Sequence, residues 1–169
     1  MKKLFLLAAV MLTSSLAQAQ DLISIKQEPQ LYCLAQNIYY EARGSSRADQ
    51  MAVSDVVLNR VKDARYPNTI CEVIYQGKQK PSWKDPTKMV MVRNMCQFSW
   101  YCDGKKDEPP EGDAWRSAQM VAYEMYYLYK DSNITDGATH YHAYYVAPSW
   151  AKKFIFKGRI GSHMFYKMK

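Results

Sequence analysis

Several familiar signals are missing from this 169-residue chain, and each absence removes a function class. The apolar run near its N-terminus is too short and too interrupted for a comfortable membrane span. No G-x-S-x-G elbow occurs, so serine-hydrolase chemistry lacks support. No C-x2-C pair occurs, which weakens a four-thiolate zinc site. Lys and Arg are scattered without a recognised nucleic-acid motif, so nucleic acid is not an expected partner. No internal repeat or low-complexity tract is visible.

What is present begins with an export signal. Lys2-Lys3, the apolar Leu4 to Leu12 and the small-x-small Ala17-Gln18-Ala19 read as a secretory leader over residues 1–19. The product is expected in the periplasm or outside the cell, with no stable membrane anchor after cleavage. Residues 20–30 read as a polar lead-in and 31–169 as one domain, large enough to bury a core. The formal charge of +7 becomes +5 once Lys2 and Lys3 are gone, a balance that suits an anionic partner such as a wall polymer or a membrane surface. Cys33, Cys71, Cys96 and Cys102 form an even set in an oxidising compartment, which implies two disulfides. Of the three possible pairings the preferred one staples Cys96 to Cys102, six apart on one loop, and leaves Cys33 with Cys71.

The periodicity describes an α+β domain in which helices dominate and a small sheet lies toward the C-terminus. Leu31, Leu34, Ala35, Ile38 and Ala42 make the core stripe of a helix over 30–43, and Gly44 offers a left-handed stop. A second helix is expected over 47–62, opened by Ser46 and facing inward through Val53, Val56, Val57 and Val61. Asp49 reads as a cap and Asp55 as a residue of the polar side. Thr69 caps a short helix ending near Tyr75. Residues 76–112 are the least regular, with a helical turn or strand over 88–93. A long helix runs from Asp113 to about Lys130, and 139–146 alternate as a strand that Pro148 breaks. Two short strands are expected over 154–157 and 163–167.

One carboxylate stands out. Glu41 lies on the margin of the first helix's apolar stripe, where partial desolvation raises a carboxyl pKa toward that of a general acid. A glycosidase of the usual kind needs two carboxylates. Asp103 is a conceivable second one but reads better as a turn residue. A single acid suffices when the substrate supplies the nucleophile, as the C6 hydroxyl of muramic acid can. A competing constellation is His140, His142 and His163 as zinc ligands of an amide hydrolase. Tyr39, Tyr40, Phe98, Trp100, Tyr141 and Trp150 are candidates for stacking on sugars.

Six ordered motifs resemble a known family. They are Tyr40-Glu41-Ala42-Arg43-Gly44, Val57-Leu58-Asn59-Arg60-Val61, Tyr66-Pro67-Asn68-Thr69, Val73-Ile74-Tyr75-Gln76-Gly77, Cys96-Gln97-Phe98-Ser99 and Arg159 through Tyr166. Together, over about residues 31–167, they are similar to cell wall hydrolases of the spore cortex-lytic (SleB) type. The resemblance implies a lysozyme-like single domain acting on peptidoglycan, with the family glutamate at Glu41 and lytic transglycosylase activity as in the best understood members. No cofactor is implied, and a monomer is expected. Asn59, Arg60, Gln97, Phe98 and Ser99 would bind the glycan or orient the carboxylate, and His140 and Tyr141 would line the groove. The four cysteines look like those of the exported Gram-negative or phage branch. Some relatives carry the label N-acetylmuramoyl-L-alanine amidase, which keeps the zinc alternative open, beside a wall-binding module without catalysis. Ser45 departs from the family, which usually has an acid after Ala-Arg-Gly.

Overall fold

The computed structural model describes residues 25–169, so the expected leader lies outside the described residues. A single turn at Ile25–Gln27 leads into four α-helices: α1 (Pro29–Ala42), α2 (Arg47–Lys62), α3 (Ile70–Ile74) and α4 (Asp113–Tyr123). The strands are β1 (Gly77–Pro81), β2 (Met89–Cys96), β3 (His140–Ala143), β4 (Ile155–Ile160) and β5 (His163–Lys167). β1 and β2 form a hairpin of their own, and the other three form an antiparallel sheet in the order β3-β5-β4.

α1 is the hub. Pro at its first position fits the start of a helix, where no amide partner is needed. Its stripe of Leu31, Leu34, Ala35, Ile38 and Ala42 is buried against α2, α3 and α4. Trp115 of α4 meets Tyr32 and Tyr39 of α1 edge to face, at 5.8 and 6.1 Å between centroids. Cys33–Cys71 ties α1 to α3, and Cys96–Cys102 closes the segment after β2. In the chain-entropy view these loops restrict the unfolded chain by about 4 and about 2 kcal/mol.

α2 is buried on more than its apolar side. Ser46 caps it by accepting from the Asp49 amide, and Val53, Val56 and Val57 are fully enclosed. So, however, are Asp49, Ser54 and Asp55, with Arg60 nearly so. Asp55 therefore does not lie on a solvent side. It accepts from the Thr135 amide at 2.9 Å and the Thr135 hydroxyl at 2.6 Å, holding the loop before β3. Asn59 also departs from expectation. Its amide donates to Asp55, Thr135 and the Ala138 carbonyl at 3.2, 3.2 and 3.0 Å, so it is committed to that same loop and not to a ligand.

Other departures have local causes. Gly44 is not left-handed; α1 ends through Arg43 N–H donating to the Tyr39 carbonyl and Ser45 N–H donating to the Ala42 carbonyl. The expected helix to Lys130 widens after Tyr123 into a π-turn over Glu124–Leu128, closed by Tyr129 N–H donating to the Glu124 carbonyl. β3 stops at Ala143 because its partner β5 begins opposite, at His163. Asn59→Ala is expected to cost about 1–3 kcal/mol by leaving the Thr135–Ala138 groups unpaired, measured as a lowered urea midpoint at unchanged slope.

Candidate active site

Four segments converge on one groove of about 450 Å³: the end of α1, the last turn of α2, residues 97–99 after β2, and the sheet's β3 edge. Glu41 enters from the last turn of α1. Arg60 rises from α2, and Gln97, Phe98 and Ser99 form one wall. His140 and Tyr141 of β3 form the other wall, extended by Tyr145 and Trp150. Of the residues anticipated to bind the glycan or orient the carboxylate, Asn59 lies elsewhere.

Glu41 is the one carboxylate among the groove's lining residues. Its side chain is partly buried, and Oε2 accepts from the Tyr141 hydroxyl at 3.0 Å. Burial raises its pKa above the ordinary carboxyl value. The Tyr141 hydrogen bond and the charges of His163 and Arg60 oppose that rise without cancelling it. The Tyr141 hydroxyl is itself held well above its usual range by burial and by the facing carboxylate, so it remains a donor.

Arg60 is almost fully enclosed. Its Nε donates to the Thr139 carbonyl at 2.8 Å, and its guanidinium lies 5.3 Å from the ring centroids of both Tyr66 and Phe98. Cation–π contact replaces the carboxylate partner that a buried guanidinium ordinarily demands. Among the described residues Nη1 has no hydrogen-bond acceptor, and Arg60 faces the groove. Phe98, nearly buried, serves as the plate beneath Arg60 while touching the groove.

The sheet's register separates the three histidines. His140 and His142 share one face of β3. His163 pairs with Ala143 and so belongs to the opposite face, with Tyr141. Both nitrogens of His142 and the Nδ1 of His140 and of His163 are also occupied. His142 Nδ1 donates to the Ala143 carbonyl at 2.9 Å, and its Nε2 meets the Tyr166 hydroxyl at 3.1 Å. His140 Nδ1 is bonded with the Thr139 hydroxyl, and His163 Nδ1 donates to Asp49 Oδ1 at 2.8 Å. The zinc set of His140, His142 and His163 gains no support from this arrangement, since His163 leaves the strand face that His140 and His142 share. No group of three or more metal-ligating side chains occurs among the described residues.

The Asp49–His163 pair is a feature that sequence reading missed. Asp49 is no mere cap. It is fully buried, accepts from the Ser162 amide at 3.0 Å as well as from His163, and lies low in pKa because these donors outweigh desolvation. Gly161 makes this approach possible. Its φ is +55°, and a β-carbon there would stand 2.7 Å from the β-carbon of Asp49. The His163 ring then meets Tyr141 edge to face at 5.0 Å, and Tyr141 reaches Glu41. The only advance signals were two aspartates within a largely apolar helix and one histidine beside a glycine turn.

The stacking candidates divide. Tyr39 and Trp100 belong to the core, with the Trp100 indole donating to Asn37 at 3.1 Å and stacked on Tyr40 at 4.6 Å. Phe98, Tyr141 and Trp150 remain at the groove. Asp103 is a turn residue whose carboxylate accepts from the Lys105 amide.

His140 gives a test of this environment. Burial, with Arg60 and Arg65 nearby, pushes its pKa down to about 4 from an ordinary 6.5. A depressed histidine stabilises the fold above pH 6.5, and that contribution drains away as pH falls toward 4, because only the unfolded chain takes up the proton. His140→Gln is expected to flatten the melting temperature's pH dependence across that window, as calorimetry at stepped pH reads directly.

Comparison with known proteins follows the same lines. The model of the family described as Cell Wall Hydrolase matches residues 44–166, beginning three residues after Glu41. A spore cortex-lytic enzyme of Bacillus cereus is 44% identical over 45 residues, which are 27% of this chain and 17% of that enzyme's length. The crystal structure of the catalytic domain of Bacillus cereus SleB superposes with a TM-score of 0.57 at 24% identity, covering 83% of this chain and 91% of that one. The catalytic domain of the germination-specific lytic transglycosylase SleB of Bacillus anthracis gives 0.56, also at 24%, covering 82% and 93%. At that identity the likeness establishes the fold, which is lysozyme-like.

Proposed function

The chain belongs to the cell wall hydrolase family, and from that premise we propose that it cleaves the MurNAc–GlcNAc glycosidic bond of peptidoglycan with Glu41 as its one acid/base, as a lytic transglycosylase. The observation that carries this reading is that a single, partly desolvated carboxylate lines the groove. With no second carboxylate opposite it, neither two-acid glycosidase geometry is supported.

The chemistry closes with one group. Protonated Glu41 gives its proton to the departing glycosidic oxygen as the bond to the muramic C1 breaks. The C6 hydroxyl of the same muramic residue attacks C1, and its proton passes to the Glu41 carboxylate. A 1,6-anhydro ring results, no water is consumed, and Glu41 is protonated for the next cycle. Burial supplies the raised pKa that keeps the proton available, and Tyr141 fixes the carboxylate's rotamer and steadies its charged form. Arg60, whose Nη1 is enclosed, contributes a fixed positive charge beside the carboxylate. His163, locked by Asp49, acts as a positioning residue behind Tyr141. Export through the expected leader, peptidoglycan as the partner and action by a monomer complete the reading.

Glu41→Gln is expected to abolish turbidity loss of purified sacculi while circular dichroism stays unchanged. The parent's products should carry anhydro-muramoyl ends, lighter by one water than reducing ends. Reducing ends would replace the cyclising step with hydrolysis, and freed stem peptides would sink the glycosidic reading. Stability gives an independent check. A carboxyl whose folded pKa is raised stabilises the protein below its ordinary value of 4.5, and that advantage is lost as pH rises through the folded value. Glu41→Gln should therefore melt higher than the parent, by a margin that opens above pH 4.5 and then levels off.

Tyr141→Phe removes the donor that lowers the Glu41 pKa. The alkaline limb of the activity profile should move to higher pH while the maximal rate falls roughly 10- to 100-fold. An unmoved limb would show that Tyr141 does not touch the reacting carboxyl in solution.

A further inference from the structure

We propose that the β1–β2 hairpin is a docking arm for the surface of an anionic phospholipid bilayer. The hairpin stands apart from the rest of the molecule. Its two strands pair only with each other, and most of their residues are exposed. Its packing on the body runs through the turn Ser99–Cys102 at its root.

That root is rigid. The Cys96–Cys102 disulfide closes it, and Arg93 Nε donates to the Asp103 carbonyl at 3.1 Å. Gly77 lies against Cys96 so closely that a β-carbon there would meet Sγ at 2.7 Å. A two-stranded hairpin alone is marginal in water, so a clamped base is what an arm of this kind requires.

The arm also concentrates the protein's charge. Lys78, Lys80, Lys84, Lys88 and Arg93 face one acid, Asp85, between residues 77 and 96, a formal +4 within a chain of +7. At the far end apolar side chains stand open. Trp83 is 87% exposed, Met89 55% and Val90 40%. The register sets Lys80 opposite Val90 and Pro81 opposite Met89, and the Lys84 ammonium lies 5.5 Å from the Trp83 ring centroid. The tip is therefore an apolar point ringed by lysines.

That combination selects the partner. A polyanionic polymer would engage the lysines and leave Met89 and Val90 in water. At a bilayer the indole and these side chains enter the interface while the lysines meet acidic headgroups. No helix among the described residues is long and apolar enough to cross a membrane, so the contact is peripheral and reversible. The groove meets this region only beyond the hairpin, at residues 97–99, so a docked arm leaves it open.

The test uses the full chain with vesicles of phosphatidylglycerol and phosphatidylethanolamine, set against phosphatidylcholine vesicles. The readout at residue 83 is quenching by brominated lipid of the emission that Trp83→Phe removes. We expect that emission to be quenched on anionic vesicles and spared on neutral ones. The triple variant Lys80→Gln, Lys84→Gln, Lys88→Gln should bind anionic vesicles at least tenfold more weakly, while its digestion of lipid-free sacculi stays at the parental rate. Unquenched Trp83 emission on anionic vesicles overturns the proposal, and so does unchanged vesicle affinity in the triple variant. Loss of binding to sacculi by the triple variant, with vesicle binding intact, would reassign the arm to a wall polymer.

Discussion

The whole site depends on a polar seam along one buried helix. Four side chains of α2 reach out and hold the backbone of the C-terminal half. Asp55 and Asn59 fasten the loop 135–138, Arg60 takes the Thr139 carbonyl, and Asp49 takes Ser162 and His163. Apolar contact alone would press the small sheet onto α2 without fixing its height along the helix. Charge-assisted hydrogen bonds have direction, so they set the register at which β3 lies against α2. That register brings Tyr141 to Glu41 across a hundred residues of sequence.

Burying so many polar groups is tolerable because nearly all of the seam's partners are supplied, Arg60 Nη1 being the exception. Asp49 illustrates the arrangement. Its negative charge is enclosed, yet it receives a backbone amide and an imidazole, and the glycine turn at 161 admits both. Glu41 sits a short distance along the same network under the opposite condition, with one hydroxyl donor and a desolvating wall. Two carboxylates in one neighbourhood are thus driven apart in pKa, Asp49 downward and Glu41 upward. The difference lies in how many donors each receives. It is this contrast that favours the anionic form of Asp49 and the protonated form of Glu41.

Much of this was legible before any coordinates. The helices over 30–43 and 47–62 follow from apolar periodicity and a serine cap, and they appear as Pro29–Ala42 and Arg47–Lys62. Glu41, at the margin of its stripe, was readable for the same reason. The β1–β2 hairpin was legible only in part, as a possible strand over 88–93. Both of its faces are largely in water, so no alternation of apolar and polar residues marks it, and Pro81 and Pro86 suggest a loop. Asp55 and Asn59 were misplaced because helical periodicity counts apolar residues only. A helix enclosed on several sides has no polar side to which such residues can be assigned. The histidines deceived in a different way: the i, i+2 spacing of His140 and His142 was right, but the face of His163 depends on a strand register that spacing cannot supply.

The two basic regions of the molecule have opposite physical characters, and this separates their tasks. Arg60 is a cation withdrawn from water, held by a carbonyl and two aromatic faces, so its field acts on whatever enters the groove with little screening. The hairpin's lysines are solvated and stand on an arm that the core barely touches, so their attraction is long-ranged and sensitive to salt. A buried cation can orient a bond but cannot recruit a surface. An exposed cluster can recruit but cannot orient. Placing the first on α2 and the second beyond a clamped root lets the chain change its docking chemistry at residues 78–90 without disturbing the proton on Glu41.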